Sequence, residues 1–258
     1  MVLKNNTIVI TGGTRGIGLE FAKKLAKLGN QVIATGRDVE KLKKLQGEEP
    51  QIHFRHLDIN DCNLEDFKNR ILSEFPSVNI LMNNAGVGQR VILQQSINKF
   101  NPAEEILVNL SAPIQLTHLF LPHFLGLRSA AFINVTSALA SLPLPILPVY
   151  SASKAGLHSY TLSLRRQLQN TNINVFEIAP PTTETDMLKG FHADDLKGIS
   201  PMSAKELVQV SIEGIQKNKW EIYPGNSGQL KLLSRIAPTF ILDKMNKRIK
   251  YPYKTETL

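Results

Sequence analysis

"NTIVITGGTRGIGLEFAKKLAKLG", residues 6–29, decides the fold. "NTIVITG", residues 6–12, carries a short β-branched run that reads as a strand. A glycine-rich turn follows at once, and then apolar residues recur at helical spacing up to Gly29, where the helix stops. Strand, glycine turn and helix in that order are the first half of a parallel β–α–β unit. Within "TGGTRGIG" (11–18), Gly12, Gly16 and Gly18 allow a tight turn and a close approach of a pyrophosphate to bare backbone. The helix start adds free N–H groups and a favourable dipole. A glycine-rich turn that holds nothing is the bland alternative, and its placement between first strand and first helix argues against it. Gly12, Thr14, Arg15, Gly16, Ile17 and Gly18 are therefore candidate dinucleotide contacts.

The alternation continues outward. "QVIATG", "IHFRHLDI", "VNILMNNAG", "AAFINVTS", "INVFEIAP" and "WEIYPG" read as strands two to seven. Between them lie helical stretches: "DVEKLKKLQ" with Asp38 as N-cap, "DCNLEDFKNRILSEF", a long helix around 102–126, another from about 150 to 170, and "SAKELVQVSIEGIQK" with a Ser203/Glu206 capping box. Strands that are apolar throughout, each followed by a helix, predict an α/β fold. It is a single-domain Rossmann-type, doubly wound sheet of about seven mostly parallel strands with helices on both faces, spanning residues 1–258.

Composition narrows the function classes. A chain of 258 residues that is 42% hydrophobic can bury a sizeable core. The lone Cys62 rules out an internal disulfide and a multi-cysteine metal site, which fits a reducing compartment. No apolar run reaches the roughly 18 residues of a membrane span, and none of signal-peptide length opens the chain, so a cytoplasmic location is expected. The net charge of +8 is concentrated at the end, where residues 231–258 hold seven Lys or Arg against two acids. Nucleic acid is a poor explanation, because no stacking aromatics or helix-turn-helix signal accompanies that charge.

An adenosine 2′-hydroxyl is usually read by an acid ending the second strand. Here that position reads Ala34-Thr35-Gly36-Arg37, with no acid before Asp38. Arg37, joined by Arg15, suits a 2′-phosphate through charge-assisted hydrogen bonds. NADP(H) is favoured, with NAD(H) possible.

Tyr150 and Lys154, in "VYSASKAG" (149–156), stand one helical turn apart. A Y-x-x-x-K match alone is weak, but it stands in company. The sequence resembles the short-chain dehydrogenase/reductase family through five motifs in order: "TGGTRGIG", Asn83-Asn84-Ala85-Gly86, Asn109 in "LVNLSAP", Ser137 thirteen residues before Tyr150, and the Tyr150/Lys154 pair. The likeness spans residues 7 to about 225. "VIATGRD", the segment from Ser137 to Leu168, and "EIYPG" resemble its branch of DltE-like oxidoreductases.

The resemblance implies Asn109, Ser137, Tyr150 and Lys154 as the catalytic set of an NADP(H)-dependent oxidoreductase acting on a carbonyl or secondary alcohol. Tyr150 would give or take the proton, Ser137 hold the reacting oxygen, and Lys154 bind the nicotinamide ribose. Asn109 would position a water linking the lysine to solvent. A nearby ammonium favours a phenolate, so Lys154 is expected to lower the Tyr150 pKa from about 10. Asp58 and Ile59 resemble the residues beside adenine, Asn84, Ala85 and Gly86 the cleft wall, and Asn83 a brace of the sheet. Pro180 and Thr185 match positions at the nicotinamide, although Pro181 replaces the family's usual glycine and loses a backbone donor.

Leu142, Leu144, Ile146 and Leu147, with three prolines, lie between Ser137 and Tyr150. They border the substrate in the family, which suits a hydrophobic carbonyl compound; packing into the core is an equal alternative. Residues 182–202 resemble the substrate lid. In the basic tail, 226–258, "TFILDKMNKRIK" sets Ile241, Leu242, Met245 and Ile249 on one helical face. Such a helix covers a core or subunit interface more often than it lies on a membrane, so peripheral membrane contact is possible but not favoured. A homodimer or homotetramer is expected from the resemblance. The histidines form no H-E-x-x-H pattern and Ser137 lacks a G-x-S-x-G elbow, so no metal site is expected and hydrolase chemistry fares poorly. The competing class is a cofactor-binding regulator or scaffold without turnover.

Overall fold

Every strand read from the apolar runs takes its place in one sheet. The computed structural model describes residues 1–93, 101–247 and 249. The strands are β1 Thr7–Ile10, β2 Gln31–Gly36, β3 Ile52–His56, β4 Val78–Asn83, β5 Ala130–Val135, β6 Ile173–Ile178 and β7 Glu221–Ile222. Their order is β3-β2-β1-β4-β5-β6-β7, and every pairing is parallel. This is a Rossmann-type, doubly wound sheet. The order reverses at β1, between β2 and β4, so a crevice opens beyond the carboxyl ends of those strands.

Helices cover both faces. On one, α1 (Gly16–Lys27), α2 (Val39–Glu48) and α7 (Ala204–Gln216) pack Phe21, Leu25, Leu42, Leu207 and Ile212 against Ile8, Ile10, Val32, Ile80 and Ile133. On the other, α3 (Leu64–Glu74), α5 (Ala112–Leu125) and α6 (Pro148–Gln167) set Phe67, Ile71, Phe120, Phe124 and Leu164 against Val9, Ile33, Leu81, Phe132 and Val175. Alternate strand residues thus feed two cores, which is why the strands carry apolar side chains on both faces. Asp38 caps α2 by accepting from Lys41 N–H at 3.0 Å, and Ser203 caps α7.

The expected helix around 102–126 is interrupted. A short α4 (Pro102–Ile106) runs through a π-helical turn, Leu107–Ser111, into α5. Pro113 has no N–H for the Asn109 carbonyl four residues back, so the regular ladder cannot pass that point. The C-terminal segment also departs from expectation. It holds two helices, α8 (Ser227–Ile236) and α9 (Pro238–Asn246), broken at Pro238. Ile249 lies beyond α9, and Arg248, Lys250 and Lys254 of the expected basic tail lie outside the described residues. Among the described residues no helix is long and apolar enough to cross a membrane.

Candidate active site

A cleft of about 1290 Å³ opens where the strand order reverses. The glycine loop forms its floor. Gly12 and Gly16 have positive φ (65° and 51°), which side-chain-bearing residues rarely adopt. A Cβ on Gly18 would stand 2.2 Å from the Gly12 carbonyl oxygen, so that glycine is required by packing. The ligand signal lies elsewhere. Helix α1 has no side-chain cap and no acid in its first turn, a state it shares with α5, α6, α8 and α9. It is the one whose start is built from the glycine loop on the cleft floor. Its first N–H groups, at Gly16, Ile17 and Gly18, are left for the cleft those residues line. A pyrophosphate fits that donor set and its dipole.

The remaining predicted cofactor residues gather along the same cleft. Thr14, Arg15, Arg37, Asp58, Ile59, Asn84, Ala85, Gly86, Pro180 and Thr185 all line it. Arg37 is 58% exposed and 3.7 Å from Glu104, and Arg15 is 3.9 Å from Asp186, so each is held only by a loose surface ion pair. Asn84 ties the β4 end to the glycine loop by donating from Nδ2 to the carbonyls of Thr11 (2.9 Å) and Gly12 (3.1 Å). Asn83 is buried and donates to Asn134 Oδ1 and Thr117 Oγ1, bracing the sheet as expected. Pro180 gives its carbonyl to Ala138 N–H at 2.8 Å. Thr185 reaches across to the glycine loop, where its Cγ2 is 3.1 Å from the position of a Cβ on Gly16.

Ser137 lies two residues past the end of β5, and Tyr150 and Lys154 stand on the first turns of α6; all three line the cleft. The Ser137 hydroxyl is near enough to the Tyr150 phenol to pull its pKa down. Ser137 Oγ also accepts from Leu139 N–H at 3.1 Å. Lys154 Nζ lies 5.9 Å from the Tyr150 ring centroid and donates to the Val135 carbonyl at 2.8 Å. The helix therefore brings ammonium and phenol together.

Their electrostatics overturn one expectation. The Tyr150 pKa is raised rather than lowered: burial dominates, the Ser137 hydroxyl pulls the other way, and the charge of Glu105 pushes further up. Burial also lowers Lys154 to about 8, so it still carries its charge at neutral pH but loses it well below the ordinary lysine range. Proximity was legible from the spacing, whereas the shared loss of solvent was not.

Asn109 does not line the cleft. It is fully buried at the π turn, with Oδ1 accepting from Val87 N–H (2.9 Å) and Nδ2 donating to Val87 O (2.8 Å) and Ser153 Oγ (3.1 Å). Both amide hydrogens are spent on bracing, so the expected handling of water does not come from the side-chain N–H groups. The residue still abuts the set, because a Cβ on Gly86 would lie 3.4 Å from Asn109 Oδ1 and 3.5 Å from Lys154 Nζ.

Two residues escaped the motif reading. Ser153 joins Asn109 to the Tyr150 carbonyl, to which its Oγ donates at 2.8 Å. Glu105, one turn before Asn109, is 3% exposed and accepts from Gln89 N–H at 2.8 Å. Burial raises its pKa against that hydrogen bond. An acid at a helix position that should face the core is the signal that could have marked it.

The mouth of the cleft is apolar. Leu144, Ile146 and Leu147 line it, with Ile146 and Leu147 also deeply buried, while Leu142 is buried without lining it. The loop thus packs into the protein and lines the cleft at once. Residues 182–202 supply Met187, Phe191 and Leu196 to the lining. A buried ion pair, Arg90 to Asp195 at 2.6 Å, ties this segment to the loop after β4.

Residues 6–196 match the family described as short chain dehydrogenase. The chain is 38% identical over 250 residues to the uncharacterized oxidoreductase DltE of Bacillus subtilis, covering 95% of this chain and 98% of that one. Its fold is similar to a short chain dehydrogenase of Burkholderia cenocepacia in complex with NADP, with a TM-score of 0.81 at 22% identity, over 95% of this chain and 99% of that one. A short chain dehydrogenase/reductase of Burkholderia phymatum in complex with NAD gives a TM-score of 0.77 at 21% identity, over the whole of both chains. At those identities the two structures speak for the fold alone. The family match and the likeness to DltE, joined to the sheet order and the cleft above, place the assignment beyond fold: the chain belongs to the short-chain dehydrogenase/reductase family, as a DltE-like oxidoreductase.

Proposed function

We propose that this protein is an NADP(H)-dependent oxidoreductase that interconverts an apolar carbonyl compound and its secondary alcohol, with Tyr150 as the acid and base. The observation that carries this reading is that Ser137, Tyr150 and Lys154 share the wall of one cleft with the start of α1, Lys154 Nζ being 5.9 Å from the Tyr150 ring centroid. Bound there, NADPH supplies a hydride. The pyrophosphate would rest on Gly16–Gly18, the adenosine near Asp58 and Ile59, and the 2′-phosphate by Arg37 and Arg15. One fold neighbour holds NADP and another NAD; the choice here rests on the two arginines and the absence of an acid at the end of β2.

The proton chemistry follows from the chain's own groups. The phenol is protonated at neutral pH and so has a proton to give to an oxygen gaining negative charge. Its raised pKa makes it the weaker acid, which a positive charge beside the forming phenolate offsets. Ser137, already accepting from Leu139 N–H, has its own hydrogen to offer the same oxygen. Once Tyr150 has given its proton, the Lys154 ammonium is the nearby positive charge that stabilises the phenolate. The apolar mouth and the 182–202 segment, acting as a lid, would exclude water from the transfer. Asn109 is a positioning residue in this reading, setting the β4 loop through both polar groups of Val87. A dimer or tetramer in the cytoplasm remains the expectation from family resemblance.

The test is NADPH oxidation by the purified protein across a panel of aldehydes and ketones, with Tyr150→Phe beside it. The expected outcome is turnover of apolar carbonyls, lost in Tyr150→Phe with NADPH affinity retained. Tight NADPH binding without turnover on the whole panel would favour the regulator instead.

A further inference from the structure

We propose that the α8–α9 corner is a docking surface for an anionic lipid bilayer, and that the apolar outer end of the cleft opens toward that bilayer. Four of the twelve large apolar side chains exposed among the described residues fall within nine residues of sequence: Leu232, Leu233, Ile236 and Phe240, at 59, 40, 71 and 66% exposure. Leu232, Leu233 and Ile236 stand three and four residues apart, on one side of α8. Phe240 follows directly on α9, past the break at Pro238. Single exposed apolar residues need no explanation, but a cluster of this kind marks a contact surface.

The inner side of the same two helices walls the cleft. Leu230, Leu233, Ile241, Lys244 and Met245, with Ile249 just beyond, line it. Leu233 belongs to both surfaces, so the exposed corner and the end of the cleft are one structural element. Charge selects the occupant. Arg235 and Lys247 are exposed on the same segment, Lys244 is exposed and also lines the cleft, and Asp243 is the single acid between residues 227 and 247. A second copy of this corner would bring like charges together, whereas anionic headgroups complement them. An apolar face rimmed by bases, on helices too short to span, matches the physics of interfacial binding. The docking surface stands independently of the oxidoreductase reading; only the supply of an apolar carbonyl substrate from the bilayer rests on it.

Flotation of the full chain with vesicles decides the matter. Phosphatidylcholine vesicles containing about a third phosphatidylglycerol should carry the protein, and pure phosphatidylcholine should carry at least about fivefold less. Ile236→Glu/Phe240→Glu, neither of which lines the cleft, should cut binding at least about tenfold. NADPH-dependent reduction of a short, water-soluble aldehyde should be unchanged in that variant. Arg235→Glu/Lys247→Glu should cost at least about fivefold in binding and regain it on neutral vesicles of equal apolar content only in part. Absence of flotation, equal binding to both vesicle types, or undiminished binding of Ile236→Glu/Phe240→Glu would overturn the proposal. So would a shift from dimer to monomer in that variant by sedimentation velocity, which would make the corner a seam between copies. If the wild type reduces no aldehyde, the oxidoreductase reading falls while flotation still decides the docking surface.

Discussion

Arg37→Asp places a carboxylate where β2 ends and asks whether that side chain selects the dinucleotide. Arg37 is 58% exposed and its present partner, Glu104, is 3.7 Å away. A charge-assisted hydrogen bond to a 2′-phosphate is worth about 1.5–3 kcal/mol. Exposure at this site discounts it, and releasing the loose Glu104 pair returns little, since surface pairs are worth about 0.2–1 kcal/mol. Losing the arginine should therefore cost NADPH about 1–2 kcal/mol, and repulsion between carboxylate and phosphate about 1 more at surface dielectric. The sum, about 2–3 kcal/mol, corresponds to roughly a 30- to 150-fold fall in kcat/KM for NADPH relative to NADH. Steady-state kinetics with both nucleotides on one carbonyl substrate measure it directly. Arg37→Ala should lose the first part alone, and added salt should narrow the wild-type preference, because these charges are solvent-facing. A preference that moves less than about threefold in Arg37→Asp would refute the reasoning and turn attention to Arg15.

Three further outcomes concern the groups behind the phenol. Ser153→Ala strands one Asn109 amide hydrogen in the core and should destabilise the protein by about 1–3 kcal/mol in urea unfolding; an unchanged midpoint would mean that the Asn109–Ser153–Tyr150 link is idle. Glu105→Gln keeps an acceptor for Gln89 N–H but removes a charge that raises the Tyr150 pKa, so the alkaline limb of the pH profile for carbonyl reduction should move to lower pH; a limb that stays put separates Glu105 from the phenol. Burial lowers Lys154 from 10.5 to about 8. Between those values the unfolded chain holds the proton more often than the folded one, so stability should rise with pH across that window, by about 3 kcal/mol in all. Thermal or urea unfolding from pH 7 to 10 should show that rise in the wild type and its loss in Lys154→Met.

What could be read from the sequence depended on how local its cause was. The strands were plain because a parallel sheet covered on both faces demands uninterrupted apolar runs, as in Ile8–Ile10 and Ile80–Met82. The cleft residues followed from spacing along single elements: Gly12 to Gly18 in one turn, and Tyr150 to Lys154 on one helix. Properties set by the whole fold were not legible. The raised phenol pKa arises from burial by neighbours distant in sequence and from Glu105 on another helix. The bracing role of Asn109 depends on Val87 and Ser153, each reached only through the fold. The π turn had a local cause in Pro113, visible in hindsight as a missing donor one turn after the asparagine. Helix α8 hid because its apolar residues serve two opposite surfaces and so blur the periodicity.

The Arg90–Asp195 pair bears on how molecules come and go. Its two charges sit 15% and 3% exposed, clamped between the loop after β4 and the segment over the mouth, where Asp195 also receives His192 N–H at 3.0 Å. Any swing of residues 182–202 away from the body pulls guanidinium and carboxylate apart, and at the same moment returns both to water. If that segment moves as a lid, rehydration would offset much of the cost of separating the charges. Neutralising a single partner would leave the other charge buried without its counter-ion in the arrangement seen here.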